Sequence, residues 1–278
     1  MNTASAPRQL KFKRFTLAGT SVAGVGTCLT IPEWSVSLDV AQGFAFAVPM
    51  RHLLITHGHM DHAAGIPYLI SQRALHELPP PKVYMPEVMV EPLTTIMRTW
   101  EQIEGFQYHL DFVGLKPGKR VDLQSGLYFC AFPTRHRIPA QGYTLFSEKK
   151  KLKQVYQNED GQRLAELRQR GVEIEEWVST PELSFTGDTQ IEFLDLAPEV
   201  KKSRILVMEM TYVDESRPIE RARAWGHLHL QELLPRLREL ECEKIVLVHL
   251  SRRHRHHQVE ALLQQVLTPL DRERVILF

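Results

Sequence analysis

The sequence predicts an α/β fold built as two successive β-then-α halves. Three observations predict it. Short apolar runs bounded by turn residues recur in both halves, segments with helical spacing follow them, and several of the runs stop abruptly at a polar, metal-ligand type of residue. A length of 278 residues admits one large or two small domains. A chain of that size buries enough surface to need no disulfide staples. We read it as a single domain over residues 1–278.

In the first half, residues 10–17 alternate and read as a strand. Gly19, Gly24 and Gly26 then punctuate the chain before strands at 27–31 and 36–40. Residues 52–56 form a short apolar strand that ends in His57-Gly58-His59. Residues 62–75 place Ile66, Leu69, Ile70 and Ala74 at helical spacing and end at the Pro79-Pro80-Pro81 breaker. A strand at 82–85 and a helix at 90–103 follow. In the second half, a strand at 127–133 leads to His136, and one at 183–186 leads to Gly187-Asp188-Thr189. Residues 205–210 read as a buried strand, and 230–241 as an amphipathic helix in which Pro235 is tolerable only near the first turn. The chain closes with a strand at 244–250 that contains His249, a helix at 259–267 and a strand at 275–278. The irregular, charged stretch 147–176 is the candidate for an insertion, a short arm within about 147–180.

Composition excludes several classes. Hydrophobic residues make up 43% and charged residues 24%, which rules out a wholly disordered chain. Lys and Arg total 34 and Asp and Glu 33, a net charge of +1, so any attraction for nucleic acid must be local. Cys28, Cys130 and Cys242 are far apart without C-x-x-C spacing and read as reduced core thiols. Residues 1–7 are small and polar, with no apolar run of signal-peptide length. No stretch approaches the ~18 apolar residues of a membrane span. A cytoplasmic protein with no membrane partner is therefore expected. Histidine is the unusual count, at thirteen.

His57-Gly58-His59-Met60-Asp61-His62 places four ligand-type side chains in six residues, between a strand and a helix. Imidazole and carboxylate suit Zn²⁺ and similar first-row metals. A solvated polar turn is the alternative, and this density of ligands after a strand disfavours it. His136, Asp188 and His249 each follow or close an apolar β run, where side chains gather at one sheet edge. Singly they suit a loop histidine, a turn or cap residue and a buried core histidine. As an ordered set they complete seven ligand candidates, enough for two metals sharing one carboxylate.

The order H-x-H-x-D-H, then His, then a G-D-T aspartate, then a late histidine resembles the signature of metallo-β-lactamase-fold hydrolases. That resemblance implies a four-layer αββα sandwich with the metals at one sheet edge. Residues 138–143, the Glu209-containing segment 207–212, the segment 222–229 around His227 and the segment 249–254 are similar to boxes of ribonuclease Z, the tRNA 3′-processing endonuclease. The likeness is to the compact, plant-type short form, and it covers nearly the whole chain after the N-terminal arm.

The family's ligand pattern implies two Zn²⁺ per subunit, with Mn²⁺ or Co²⁺ as substitutes. His57, His59 and His136 would hold one ion, Asp61, His62 and His249 the other, and Asp188 would bridge. It implies metal-hydroxide attack on a phosphodiester of precursor tRNA, leaving a 3′-hydroxyl on the tRNA and a 5′-phosphate on the trailer. Asp61 would also orient the water or take its proton, and His227, held by Glu209, would protonate the leaving oxygen. A homodimer is expected, with the arm of one subunit serving tRNA at the other. For RNA phosphates the candidates are Lys149, Lys150, Lys151 and Lys153, which alternatively form a solvated helix face, and Arg252 and Arg253 beside His249. Lys11, Lys13 and Arg14 need no special role. Two other readings compete: a phosphodiesterase for cyclic nucleotides or other small esters, and a non-catalytic RNA-binding scaffold.

Overall fold

Apolar residues two apart along a strand dictate a sheet face, and here both faces of most central strands are apolar, so both must be covered. The computed structural model describes residues 7–124 and 126–278; the polar lead segment 1–6 lies outside them. The first sheet runs in the order β1 (Arg8–Lys11), β2 (Thr16–Ala23), β3 (Gly26–Ile31), β4 (Val36–Leu38), β5 (His52–Leu54), β6 (Lys82–Pro86) and β7 (Asp111–Leu115). Its pairing is antiparallel up to β4 and parallel beyond it. The second sheet contains β8 (Arg120–Gln124), β9 (Leu127–Pro133), β10 (Gln141–Leu152), β11 (Glu175–Phe185), β12 (Ile205–Glu209) and β13 (Lys244–Val248). The short β14 (Leu250–Ser251) leaves that sheet to pair in parallel with β2, while β15 (Val275–Leu277) closes it beside β13.

Three apolar layers define four structural ones. Between the sheets lie Leu29, Ile31, Leu38 and Leu54 from the first and Phe129, Tyr143, Phe185, Val207, Val246 and Val248 from the second. Outside the first sheet, α1 (Met60–Ala63), α2 (Ile66–Leu75) and α3 (Val90–Glu104) bury Ala63, Ile66, Leu69, Ile70 and Met97 against Leu53, Ile55 and Val83. Hairpin β10–β11 carries α4 (Gly161–Gln169) at its tip. Outside the second sheet, α5 (Phe193–Leu196), α7 (Leu230–Leu233) and α8 (His256–Val266) cover Leu206, Met208, Ile245 and Leu247. The alternation along β12 and β13 assigns every other residue to each layer, and each fully buried aliphatic or Phe contributes about 1.5–3 kcal/mol. This is the αββα sandwich that the motif order implied. Among the described residues no helix is long and apolar enough to cross a membrane. Cys28 and Cys242 are buried, and Cys130 is half-buried.

Several expected elements change. The strand expected at 10–17 is broken by a turn in which Phe12 N donates to Phe15 O at 2.9 Å, so β1 folds back on β2 around Lys13 and Arg14. The helix at 62–75 starts two residues earlier and breaks before Ile66, where Gly65 N donates to Ala41 O at 2.7 Å instead of continuing the first helix. The helix at 230–241 keeps only its first turn as α7. Pro235 then opens a 3₁₀ segment, Leu234–Glu239, because it lacks the N–H that an α-helix needs there. The stretch 147–176 is regular at both ends. These ends extend β10 and β11 into a two-stranded arm, so Lys149, Lys150 and Lys151 lie on a strand, with Lys153 just past its end, and not on a helix face.

Candidate metal centre

Five chain segments reach one edge of the sandwich, each at the end of a strand. The His57–His62 loop follows β5, His136 follows β9, Asp188 follows β11, Glu209 ends β12 and His249 follows β13. An isolated bridge between His57 and Ala140 joins the two sheets there. Gly187 adopts φ +60°, and a Cβ on it would meet the Thr56 side chain at 2.6 Å, so this turn needs glycine to bring Asp188 against the first sheet. His249 adopts φ +59°, a strained value for a residue with a side chain, and its N–H is held by Ser21 Oγ at 2.9 Å.

The seven residues singled out by the motifs come together in two groups. His57 Nε2 and His136 Nε2 lie 3.0 and 3.2 Å from His59 Nδ1. His62 Nε2 lies 3.3 Å from His249 Nε2, with Asp61 Oδ2 at 3.8 and 3.6 Å from those two nitrogens. Asp188 stands between the groups: Oδ2 is 3.7 Å from His57 Nε2, and Oδ1 is 3.4 Å from His62 Nε2 and 3.3 Å from His249 Nδ1. His57, His59, His136 and Asp188 can converge on one cation, and Asp61, His62 and His249 on another. Asp188 Oδ1 is buried without a hydrogen-bond donor. A buried carboxylate oxygen with no donor, facing ring nitrogens that face each other, fits a metal ion between them.

Two buried carboxylates orient the rings by the same device. Asp39 accepts from Thr56 N at 2.7 Å and from the Thr56 hydroxyl at 2.9 Å, and it meets His62 Nδ1 at 2.7 Å. Thr56 Oγ1 thus keeps a lone pair for His57 Nδ1 at 3.0 Å. Glu209 accepts from the Thr211 hydroxyl at 2.6 Å and meets His227 Nδ1 at 3.0 Å, while Thr211 Oγ1 receives His249 Nδ1 at 2.9 Å. In each half one carboxylate fixes one histidine directly and a second through threonine, which leaves the opposite ring nitrogens free for a metal or substrate. His136 Nδ1 is fixed separately by donating to Gly226 O at 2.8 Å. Gly226 has φ +79°, and a Cβ there would meet that nitrogen at 2.7 Å.

Electrostatics follow from burial and neighbours. Burial, reinforced by the other histidines, holds His57, His59 and His136 below the ordinary histidine pKa, as neutral imidazoles. Burial opposes ionisation of Asp188, but His249 and His62 outweigh it and keep the carboxylate well below its usual range. Burial likewise opposes protonation of His227, but the charge and hydrogen bond of Glu209 outweigh it and raise the imidazolium to about 9. Glu209 is fully buried and also accepts from Thr189 N at 2.6 Å and Leu228 N at 3.3 Å, so it positions other groups and does not meet substrate.

The other expected residues lie elsewhere. Arg252 and Arg253 follow His249 by three and four residues and are exposed. Lys149, Lys150, Lys151 and Lys153 are not at the site. Lys149 is eight residues along β10 from Gln141, roughly 26 Å at strand rise. The strand also divides them: Lys149 and Lys151 share a depression with Lys13, Arg14 and Arg204, while Lys150 stacks on Trp177 at 5.4 Å. Asp39, Thr56 and Thr211 were not legible in the sequence, because lone Asp and Thr residues carry no spacing signal.

A family model described as a β-lactamase superfamily domain matches residues 40–250, a span holding all seven ligand candidates. The chain is 30% identical to tRNase Z TRZ1 of Arabidopsis thaliana over 266 residues, covering 95% of each. It is 32% identical to the chloroplastic tRNase Z TRZ2 of the same plant, covering 92% of this chain and 73% of that one. Among solved structures it is similar to the short form of human tRNase Z, with a TM-score of 0.61 at 16% identity, covering 93% of this chain and 94% of that one. It also resembles the metallo-β-lactamase-fold protein YhfI of Bacillus subtilis, with a TM-score of 0.62 at 13% identity and coverage of 93% and 94%.

Proposed function

The chain belongs to the tRNase Z (ribonuclease Z) family of the β-lactamase superfamily, and on that footing we propose that it is a metal-dependent endoribonuclease that removes the 3′ trailer of precursor tRNA. The observation that carries this reading is the joining, at one sheet edge, of the seven ligand-type groups with the Glu209–His227 pair. In this reading His57, His59 and His136 hold one Zn²⁺, Asp61, His62 and His249 hold a second, and Asp188 lies between them. Mn²⁺ or Co²⁺ would suit the same nitrogen and oxygen donors.

When bound, the metal lowers the pKa of water towards ~7 and offsets charge developing on the phosphate. The chain's own groups supply the rest. Asp61, whose Oδ2 is held by Gly24 N at 2.8 Å, orients the attacking water or takes its proton. His227 uses Nδ1 on Glu209, so Nε2 is the atom left to protonate the departing 3′-oxygen. The tRNA keeps a 3′-hydroxyl and the trailer a 5′-phosphate. Arg252 and Arg253, exposed three and four residues beyond His249, would meet phosphates near the cut. The distance of Lys149 and Lys151 from the metal groups of their own chain supports a homodimer in which the arm of one subunit meets tRNA bound at the other. We place the enzyme in the cytoplasm.

One assay tests the reading. A 3′-extended tRNA and bis(p-nitrophenyl) phosphate are incubated with the protein, with and without chelator. Cleavage of both, abolished by chelator, is expected. Cleavage of the small ester alone would instead favour a small-molecule phosphodiesterase, and tRNA binding without cleavage a scaffold.

A further inference from the structure

Beside the metal groups lies a feature that the mechanism above does not use. The helix α6 (Ile219–Trp225) ends at Trp225, immediately before Gly226 and His227. The Arg137 guanidinium lies 4.6 Å from the centroid of the Trp225 ring, and that of Arg221, one helical turn before Trp225, lies 5.3 Å from it. All three side chains are exposed, Trp225 at 43%. Among the described residues neither guanidinium has a carboxylate partner, whereas the neighbouring Arg223 is paired with both Glu192 and Glu232. The stack is also tied to the site. Arg137 follows His136, and the Cβ that Gly226 lacks would lie 3.0 Å from Arg137 N, so the two backbones are in direct contact.

From this geometry we propose that Arg137, Trp225 and Arg221 form a nucleotide subsite that grips the RNA backbone next to the scissile phosphate. The inference rests on the endoribonuclease reading and deepens it. Two unpaired guanidiniums would otherwise repel each other, and the indole that both approach offers a cation–π surface that holds them in place. Their planar donors remain open to phosphate oxygens, which arginine binds in bidentate fashion. The class of ligand is a phosphodiester of a polynucleotide. A small ester reaching only the metal groups would not contact the stack.

The test compares two substrates and a salt series. In Arg137→Gln and Arg221→Gln, kcat/KM on 3′-extended tRNA should fall about tenfold more than kcat/KM on bis(p-nitrophenyl) phosphate. Each variant should also flatten the slope of log Kd against log[salt] for the metal-loaded protein binding that tRNA with an uncleavable linkage at the processing site by roughly 0.7–0.9. Trp225→Ala should show the same selective loss, and Trp225→Phe should recover most of it by restoring an aromatic surface. Equal losses on both substrates, or unchanged salt slopes in both arginine variants, would overturn the subsite. Binding is measured without turnover, so the salt slopes report on the stack even if the wild-type protein leaves the tRNA uncut, a result that would instead remove the endoribonuclease reading.

Discussion

Residue by residue, the candidate centre depends on atoms that different histidines present. His57, fully buried, and His227, half-buried, both lie near Asp188, yet their surroundings differ. His57 has Nδ1 engaged by Thr56, is held neutral, and faces two other ring nitrogens. His227 has Nδ1 on Glu209 and is held protonated. This division makes a specific prediction. His57→Ala should abolish hydrolysis and lower bound metal, whereas His227→Ala should lose 10²–10⁴-fold in rate, the range of general acid catalysis, with metal retained. Elemental analysis of the two purified variants checks it, and equal metal loss in both would sink the assignment. At this scale the sequence was most informative for the ligand-type residues, because strand-ending His and Asp carry a spacing pattern. It was silent on Asp39, which lies between β4 and β5 with φ +53° and yet orients both His62 and, through Thr56, His57.

Among the elements, the arm departs most from expectation. Charge density along 147–176 suggested an irregular insertion, but Ser147–Leu152 pairs with Glu175–Thr180 in a regular antiparallel ladder. Polar strands of this kind carry no hydrophobic alternation to betray them. The pleat then turns one basic run into two surfaces. Lys149 and Lys151 join Lys13, Arg14 and Arg204, and Lys13 and Arg14 get there through a turn that the alternation of 10–17 conceals. If this corner meets tRNA phosphates, the double variant Lys149→Gln, Lys151→Gln should raise KM for tRNA and flatten its salt slope by roughly 1.4–1.8. Lys150→Gln, which removes only a partner of Trp177, should change the slope by less than half of that. A filter-binding salt titration compares them, and identical slopes in both variants would reject the division of the strand into two faces.

The whole molecule holds opposite halves of the site on opposite sheets. His62 and His249 are 187 residues apart in sequence yet 3.3 Å apart across the edge, and β14 ties the last motif to β2. Such a centre couples metal binding to folding, because the unfolded chain presents no assembled site. At free Zn²⁺ one hundred times its Kd, the native state gains about 2.7 kcal/mol. For a chain of this size that corresponds to roughly 5–10 °C in Tm. Calorimetry with and without chelator should show a fall of that order, and an unchanged Tm would contradict a metal held by both sheets.

By itself the sequence determined the α/β class, most strand positions and the identity of the ligand-type residues, because those rest on local periodicity and on what ends each apolar run. The tertiary structure alone decided which ring nitrogens face one another, how Asp39 and Glu209 orient them, that the basic run lies on a hairpin, and that Arg137 and Arg221 both approach Trp225. Those features depend on contacts between segments tens to hundreds of residues apart, where burial and hydrogen bonding select a geometry that no local pattern encodes.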